Sequence, residues 1–303
     1  MRLRHIEIFH AVYTCGSITA AAKVLNVSQP SVSKVLAHAE SQLGYRLFER
    51  HKGKIIPTRE ADHLIDHVMG AYQHIEELRR ISKNLSADDS GTVRFASTPT
   101  FGVDFIPNLV ASYLASHPGT RFDIETLHHQ QIARAIKEHR IDLGLAFAPH
   151  QHSELQSETL ASARFMVIAS KNMPLDVSRP VSLEEIAHLP MIQLSERGPL
   201  GKLLKQSFDA FDITPHTVAT VETYQMAKAL AARGVGVCLV DEITARSSEH
   251  LQTLCLELDW QVEFEVVAMF SQTTPLPLVT QRFYDALKSE ISRFLSQQRH
   301  DRT

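Results

Sequence analysis

The sequence predicts a protein of two parts, an N-terminal unit made of helices and a larger C-terminal α/β domain, joined by one long helix. Three patterns in the 303 residues lead to this prediction. Apolar residues recur at helical spacing through the first 44 residues, a seven-residue apolar repeat runs from residue 58 to about residue 85, and short apolar strands alternate with helices after residue 91. That alternation is typical of βαβ units and predicts a mostly parallel sheet.

The third helix of the N-terminal unit is the most distinctive element. It is expected to begin after Ser28, a helix-capping residue type, to carry Pro30 in its first turn and to end at Gly44. Only Asn26 and Val27 separate it from the second helix. This short connection predicts a helix-turn-helix.

The outward face of that third helix is short, polar or singly basic, so it fits a major groove about 12 Å wide. Gln29 can bond adenine, Pro30 can contact a thymine methyl group, and Ser33 can bond either base type. Residues 47–57 then predict a basic hairpin, a wing directed at phosphates or the minor groove. The candidate DNA-binding residues are Ser28, Gln29, Pro30, Ser31, Ser33, Lys34, Arg50, Lys52 and Lys54.

Charge is distributed unevenly along the chain. The first 57 residues hold eight Lys/Arg against three acidic residues, a net charge of +5, whereas the whole chain carries −3. The rest of the chain therefore carries −8. A basic head on an acidic body indicates that only the head meets a polyanion.

The long helix carries an apolar seam of three to four heptads, beginning after the cap Thr58. Such a helix is roughly 40 Å long, and we expect it to pair with a second copy because the small head cannot cover the whole seam. The polar residues 86–91 mark the end of this linker. Two rows form the seam, Ala61, Val68, Ile75 and Ser82, and Leu64, Ala71, Leu78 and Leu85.

In the α/β domain, a ligand is expected at the carboxyl ends of the strands. The stretch from Ser97 through Thr98 to Thr100 follows the first strand and begins a helix, so its hydroxyls and free N–H groups suit a carboxylate. An ordinary helix cap is the alternative. The expected strands are 92–97, 122–126, 142–147, 165–170, 191–194, 218–222, 236–240 and 262–270.

Composition excludes several other classes. Hydrophobic residues make up 44% of the chain and charged residues 21%, values of ordinary globular proteins. No apolar run is long enough to span a membrane, and the N-terminus lacks the apolar core of an export signal, so we expect a cytoplasmic protein with no membrane contact. Cys15, Cys238 and Cys255 form no zinc or disulfide pattern and are expected to be reduced, a redox switch between the last two being the alternative.

The sequence contains few of the features that indicate a metal site or a catalytic site. His63 and His67 are four residues apart on the long helix, but neither a cysteine nor a carboxylate cluster completes a site, so we expect no metal and no cofactor. Nucleotide-binding, metalloprotease and serine-hydrolase motifs are missing, and we expect no enzyme. An enzyme with a scattered Ser/His/Asp set stays open as an alternative, whereas a solute-binding protein would need an export signal and no basic head.

Short motifs along nearly the whole chain match one family. The head carries Gly16-Ser17, Ala20-Ala21-Ala22, Ser28-Gln29-Pro30-Ser31-Val32-Ser33, Leu47-Phe48-Glu49-Arg50 and Pro57-Thr58, and the body carries Gly91-Thr92-Val93-Arg94, Phe105-Ile106-Pro107, His117-Pro118-Gly119, Asp142-Leu143-Gly144-Leu145 and Gly234-Val235-Gly236-Val237. These motifs resemble the LysR-type transcriptional regulators. The opening Leu3-Arg4-His5-Ile6-Glu7-Ile8-Phe9 is most similar to regulators of lysine biosynthesis and opine catabolism.

The resemblance implies an effector domain of periplasmic-binding-protein architecture, in which two α/β subdomains enclose a ligand cleft and are joined by crossing strands near residues 147–149 and 267–269. It implies a homodimer or homotetramer that binds double-stranded promoter DNA and RNA polymerase, regulated by a small and, from the subgroup, amino-acid-like effector. Asp241 is the expected acceptor for an effector ammonium group, a helix cap being the alternative. The implied cleft residues are Ser97, Thr98, Thr100, His129, Phe147, Ser195, Glu196, Arg197, Glu222 and Asp241. The implied divisions are a winged helix-turn-helix 1–58, a linker 59–90 and an effector domain 91–303, with subdomains 91–161 plus 267–303 and 162–266.

Overall fold

The computed structural model describes residues 1–51, 54–84, 91–147, 155–247, 253–260 and 262–300. The chain divides into two compact units, Met1–Lys83 and Asn84–Thr303. Within the ranges given above, no helix combines the length and the apolar character that crossing a bilayer requires.

The N-terminal unit has the expected helices and wing. Ser28 accepts a hydrogen bond from the Ser31 amide at the start of the third helix, and Gly44, with φ of 80°, ends that helix in a left-handed conformation. Asn26, with φ of 52°, makes the turn before it, which an asparagine tolerates. The elements are α1 (Leu3–Cys15), α2 (Ile18–Val24), α3 (Gln29–Leu43), β1 (Phe48–His51), β2 (Lys54–Pro57) and α4 (Arg59–Asn84).

The core of this unit includes the first half of the long helix α4. Ala61 and Val68 are buried there, and Leu64 packs against the same core. Leu78, farther along the same seam, is 67% exposed within this chain. The head therefore covers the first part of the seam and leaves Leu78 uncovered, as expected of a head too small to cover the whole seam. Of the other seam residues, Leu85 and the side chain of Ser82 lie outside the described parts.

The C-terminal unit alternates strands and helices. Its strands are β3 (Gly91–Ser97), β4 (Thr120–Thr126), β5 (Leu143–Phe147), β6 (Leu155–Ser170), β7 (Met191–Leu194), β8 (Thr217–Val221), β9 (Val237–Asp241), β10 (Thr253–Glu257) and β11 (Glu263–Ser271). Its helices are α5 (Pro99–Gly102), α6 (Phe105–Ser116), α7 (His129–Lys137), α8 (Leu183–Ala187), α9 (Pro199–Ala210), α10 (Tyr224–Ala232), α11 (Glu242–Arg246) and α12 (Leu278–His300).

The sheet of this unit is parallel at both ends and antiparallel in the middle. Its strand order is β4-β3-β5-β11-β6-β9-β7-β8, with β10 also paired to β6. β3 is parallel to β4 and β5, and β7 is parallel to β8 and β9, whereas β6 and β11 run antiparallel to their neighbours. The expectation of a mostly parallel sheet thus holds for the ends alone, because two long strands pass between the halves in opposite directions.

The chain crosses from one half to the other inside β6. This strand pairs with β11 up to Arg164 and with β9 from Phe165 onward. Leu155 still pairs with Ser271 at the end of β11 in the first half, so the crossing does not lie at residues 147–149, of which 148 and 149 are outside the described ranges. The register between the two strands shifts a few residues away, where Val266 and Val267 of β11 pair with Ala161 and Thr159 of β6.

Candidate nucleic-acid interface and ligand cleft

The outward face of α3 is exposed and locally ordered by its own hydrogen bonds. Gln29, Ser31 and Lys34 are exposed, as is Pro30, while Ser33 is half-buried. Gln29 Nε2 donates to Ser33 Oγ over 2.9 Å. This hydrogen bond orders two of the three side chains that are expected to contact bases, Gln29 and Ser33.

The inward face of α3 fixes this surface. Val32, Leu36 and Ala39 are buried in the core of the N-terminal unit. Ser28 serves as the helix cap, and its hydroxyl lies 2.8 Å from the hydroxyl of Ser31. Both residues are exposed, and their hydroxyls bond each other. The whole expected base-contacting stretch is thus held on one helix by its buried opposite side.

Glu40, which the sequence reasoning missed, connects α3 to the wing. Its Oε1 accepts the amides of Leu47, at 2.8 Å, and Phe48, at 3.1 Å. Arg50 lies exposed on β1 of that wing. Lys52 and the side chain of Lys54 lie outside the described residues. A carboxylate in the last turn of a helix before a chain reversal was the available signal for such a contact.

A cavity of about 560 Å³ lies between the two halves of the C-terminal unit, within the range of small-molecule sites. The start of α5, the start of α7, the end of β5 and the start of α9 contribute to it. Seven of the ten expected cleft residues line it: Thr98, Thr100, His129, Phe147, Ser195, Arg197 and Glu222. Further lining residues include His128, Gln130, Gln131, Lys202 and Tyr224.

The other three expected residues do not line this cavity. Ser97 is 1% exposed in the end of β3, and Glu196 lines a separate cavity beside α9. Asp241 is fully buried, so it cannot meet an ammonium group of a ligand in this conformation. Its carboxylate caps α11 instead, accepting the Thr244 amide at 2.9 Å.

Asp241 nevertheless reaches the wall of the cleft through one hydrogen bond. Thr100 Oγ1 donates to Asp241 Oδ2 over 3.4 Å, which joins α5 of the first half to α11 of the second. Burial raises the pKa of the Asp241 carboxyl to about 6, although the Thr244 and Thr100 donors act in the opposite direction. Asp241 is therefore a buried support of the cleft wall.

Two polar atoms near the cleft wall have no hydrogen-bond partner among the described residues. Thr98 Oγ1 is one, and Gln225 Oε1 is the other. Gln225 Nε2 donates to Pro99 O over 3.1 Å, so its orientation is fixed and its unpaired atom is an acceptor. Buried groups of this kind are uncommon and favour a polar ligand or bound water nearby. Sequence reasoning missed Gln225, because its position in the first turn of α10 carries no local signal.

Charge and close packing shape the mouth of the cleft. Arg197 and Glu222 form an ion pair of 2.5 Å between two exposed side chains, and such exposed pairs exchange partners at little cost. The loop that carries Arg197 rests on α9 at Gly201, where an added Cβ would lie 2.1 Å from Ser195 O. Only glycine permits this approach, so Gly201 sets the position of Ser195 and its neighbours.

The redox alternative does not fit the strand order. Cys238 in β9 and Cys255 in β10 both lie opposite Ile168, on the two sides of β6. Two strand spacings separate them, about 10 Å, which exceeds the reach of a disulfide. Burial also raises the pKa of the Cys238 thiol to about 12. In the parts that the structure describes, no three His, Cys, Asp or Glu side chains are grouped to hold a metal ion.

Comparison with known proteins covers both units. Residues 3–62 match a family described as bacterial regulatory helix-turn-helix protein, lysR family, and residues 86–292 match the LysR substrate binding domain. The chain is 36% identical to the HTH-type transcriptional regulator DgcR of Pseudoalteromonas sp over 289 residues, which cover 95% of this chain and 99% of that one. It is 30% identical to the transcriptional activator protein LysR of Escherichia coli over 277 residues, which cover 91% and 85%.

A solved structure shares the fold. Full-length CbnR, crystallised with its target DNA, superposes with a TM-score of 0.67 over 96% of this chain and 100% of that one. The sequences are 18% identical, so this likeness concerns the fold.

Proposed function

The chain belongs to the LysR-type transcriptional regulators, with a DNA-binding helix-turn-helix and a substrate-binding effector domain, and from this premise we propose that a small molecule in the cleft controls its binding to promoter DNA. The cavity between the two halves carries the proposal, because a ligand there contacts both halves at once. A ligand that binds one arrangement more tightly shifts the population toward it. The proposed divisions are 1–58, 59–90 and 91–303, with subdomains 91–161 plus 267–303 and 162–266.

The proposed DNA surface is the outer face of α3 together with the wing. Gln29 and Ser33 would contact bases, and Lys34 and Arg50 would contact phosphates. Ser28, Pro30, Ser31, Lys52 and Lys54 complete the proposed set. Since promoter DNA is the partner, the protein would act in the cytoplasm, beside RNA polymerase.

The proposed oligomer is a homodimer or a homotetramer. Its support is the exposed Leu78 on the distal part of α4, an apolar residue left uncovered on the seam. Two paired heads would contact two half-sites on DNA. Because the relatives are transcriptional regulators, we propose binding and not catalysis as the role of the cleft.

The proposed effector is a zwitterion of amino-acid type. Thr98 and Arg197 supply donors for a carboxylate, and Glu222 supplies an exposed acceptor for an ammonium group. Asp241 was expected in that second role but is fully buried. The unpaired Gln225 Oε1 adds a second acceptor near the wall. One cavity therefore has donors from both halves and acceptors from the second half, the two kinds of group that an amino acid requires.

Isothermal titration calorimetry with L-lysine, L-glutamate and benzoate tests this assignment. An amino acid should bind, and Thr98→Val and Glu222→Gln should each weaken that binding by about tenfold, the loss of one hydrogen bond to a charged group. Thr159→Val, an exposed threonine on β6 that does not line the cavity, is the matched control. Tight binding of benzoate that Glu222→Gln leaves unchanged would contradict the ammonium contact.

A further inference from the structure

Two histidines join the start of α1 to the recognition helix α3. His5 is 5% exposed, whereas His38 is exposed on α3. His5 Nε2 and His38 Nδ1 lie 3.1 Å apart, and the rings meet edge to face with centroids 5.1 Å apart. A buried ring therefore holds an exposed ring in one orientation.

The hydrogen bonds fix where the protons of the two rings lie. The Arg2 amide donates to His5 Nδ1 over 3.3 Å, so this nitrogen is an acceptor. Burial is the largest cause that lowers the pKa of His5, and the neighbouring His38, the amino terminus and Arg2 act in the same direction. The lowered pKa favours the neutral form of His5. Its one proton is then on Nε2 and is donated to His38 Nδ1. A neutral His38 therefore carries its own proton on Nε2, the nitrogen that faces away from His5.

His38 lies on the flank of the surface that meets DNA. It follows Ser31 by seven residues and Lys34 by four, so at about 100° per residue all three lie within roughly 60° of one another around the helix. All three are exposed. When a helix enters the major groove, the residues on its flanks face the sugar-phosphate backbone and not the base edges.

We propose that His38 donates its Nε2–H to a DNA backbone phosphate, and that His5 is a positioning residue that orients this donor. In this contact His38 Nδ1 accepts from His5, so the ring presents its Nε2 proton to the phosphate. The contact is independent of base sequence. It adds a second phosphate contact beside the one proposed for Lys34.

Fluorescence anisotropy with a random-sequence 30-base-pair duplex tests the contact without knowledge of the operator. His38→Ala should weaken binding by about tenfold at low salt, the loss of one hydrogen bond to a charged acceptor. At about pH 8.5, well above the ordinary pKa of an imidazole, the slope of log affinity against log salt should stay unchanged, whereas Lys34→Ala should flatten it by about 0.9. His63→Ala, an exposed histidine on α4, is the matched control and should leave binding unchanged.

A double-mutant cycle tests the positioning role of His5. His5→Phe keeps a buried ring but removes the donor, so it should weaken DNA binding less than His38→Ala does, and the double variant should bind as His38→Ala alone. Multiplicative losses would overturn the role of His5. Affinity of His38→Ala within twofold of wild type, or at that pH a salt slope flattened as for Lys34→Ala, would overturn the proposed Nε2–H contact to phosphate. Because His38 is exposed, its variant keeps the test open even if His5→Phe fails to fold.

Discussion

The two binding surfaces of this protein are built in opposite ways. The proposed base-contacting surface comes from one continuous stretch of α3, with exposed side chains supported by a buried opposite face. The cleft is assembled from separate segments around residues 98–100, 128–131, 194–202 and 222–224, and buried groups that do not line it support its walls. A change in the first surface should therefore alter binding alone, whereas a change around the second should also alter folding.

Gly201→Ala should show this difference most strongly. An added Cβ would approach Ser195 O to 2.1 Å, and a backbone atom cannot move aside as a flexible side chain can. We expect the C-terminal unit to lose about 3 kcal/mol of unfolding free energy or more, at the upper end of the cost of overpacking. The Ser195 loop should also shift, with weaker binding of any cleft ligand. Urea unfolding followed by circular dichroism measures the loss.

Gly198→Ala is the matched control for that substitution. Gly198 precedes the same helix, has φ of −96° and meets nothing within 4 Å of an added Cβ. Its unfolding free energy should stay within about 0.5 kcal/mol of wild type. If the two alanine variants were equally stable, the close approach at Gly201 would not hold the loop, and the contrast between the two surfaces would weaken.

Asp241→Asn should change how stability depends on pH. Burial raises the pKa of Asp241 from 3.8 to about 6, so the folded state binds the proton more tightly than the unfolded state does. The contribution of this group is most favourable below about pH 4, falls as pH rises to about 6, and is constant above that. The fall amounts to roughly 3 kcal/mol as an upper figure.

The asparagine variant should remove this part of the pH dependence and be at least as stable as wild type at pH 7, because its side-chain oxygen can still accept the Thr244 amide. Thermal unfolding between pH 4 and pH 7 checks it. Asp123→Asn, an exposed aspartate on β4, serves as control and should leave the profile unchanged. An Asp241→Asn profile that runs parallel to that of wild type would mean that Asp241 is not the group that titrates.

What the sequence could predict follows the same division. Ser28, Pro30 and Gly44 mark the start and the end of α3 in the sequence, and helical spacing then gives its exposed face. The face on which the base contacts are proposed could therefore be predicted residue by residue. The end of the first strand of the α/β domain indicated Thr98 and Thr100, and the family resemblance implied the other five expected residues that line the cleft. Whether Asp241 reaches the cavity or caps α11 depends on packing between distant segments, and no local pattern in the sequence reports such packing.

The long strands show the same limit at the level of the fold. The sequence predicts only residues 165–170 of β6, because the polar residues of its earlier part resemble a loop, and it does not predict β10. β6 becomes a strand along its whole length because β11 pairs with it on one side up to Arg164. Pairing with a distant strand, and not local propensity, determines this part of the structure.

Gln29→Ala should have the smallest effect on stability and still a clear effect on function. Gln29 is exposed and its hydrogen-bond partner, Ser33, lies on the same helix, so the unfolding free energy should change by no more than about 0.5 kcal/mol. Binding to the cognate operator should weaken by about 1–3 kcal/mol, while binding to a scrambled duplex should hardly change, since a base contact is lost and no phosphate contact is. Gel-shift titrations on both duplexes measure the change in DNA binding, and urea unfolding measures the change in stability.

Gln42→Ala, exposed in the last turn of α3, is the control. Equal losses on both duplexes would assign Gln29 to the backbone. A stability loss as large as that of Gly201→Ala would show that the DNA surface, too, depends on its fold.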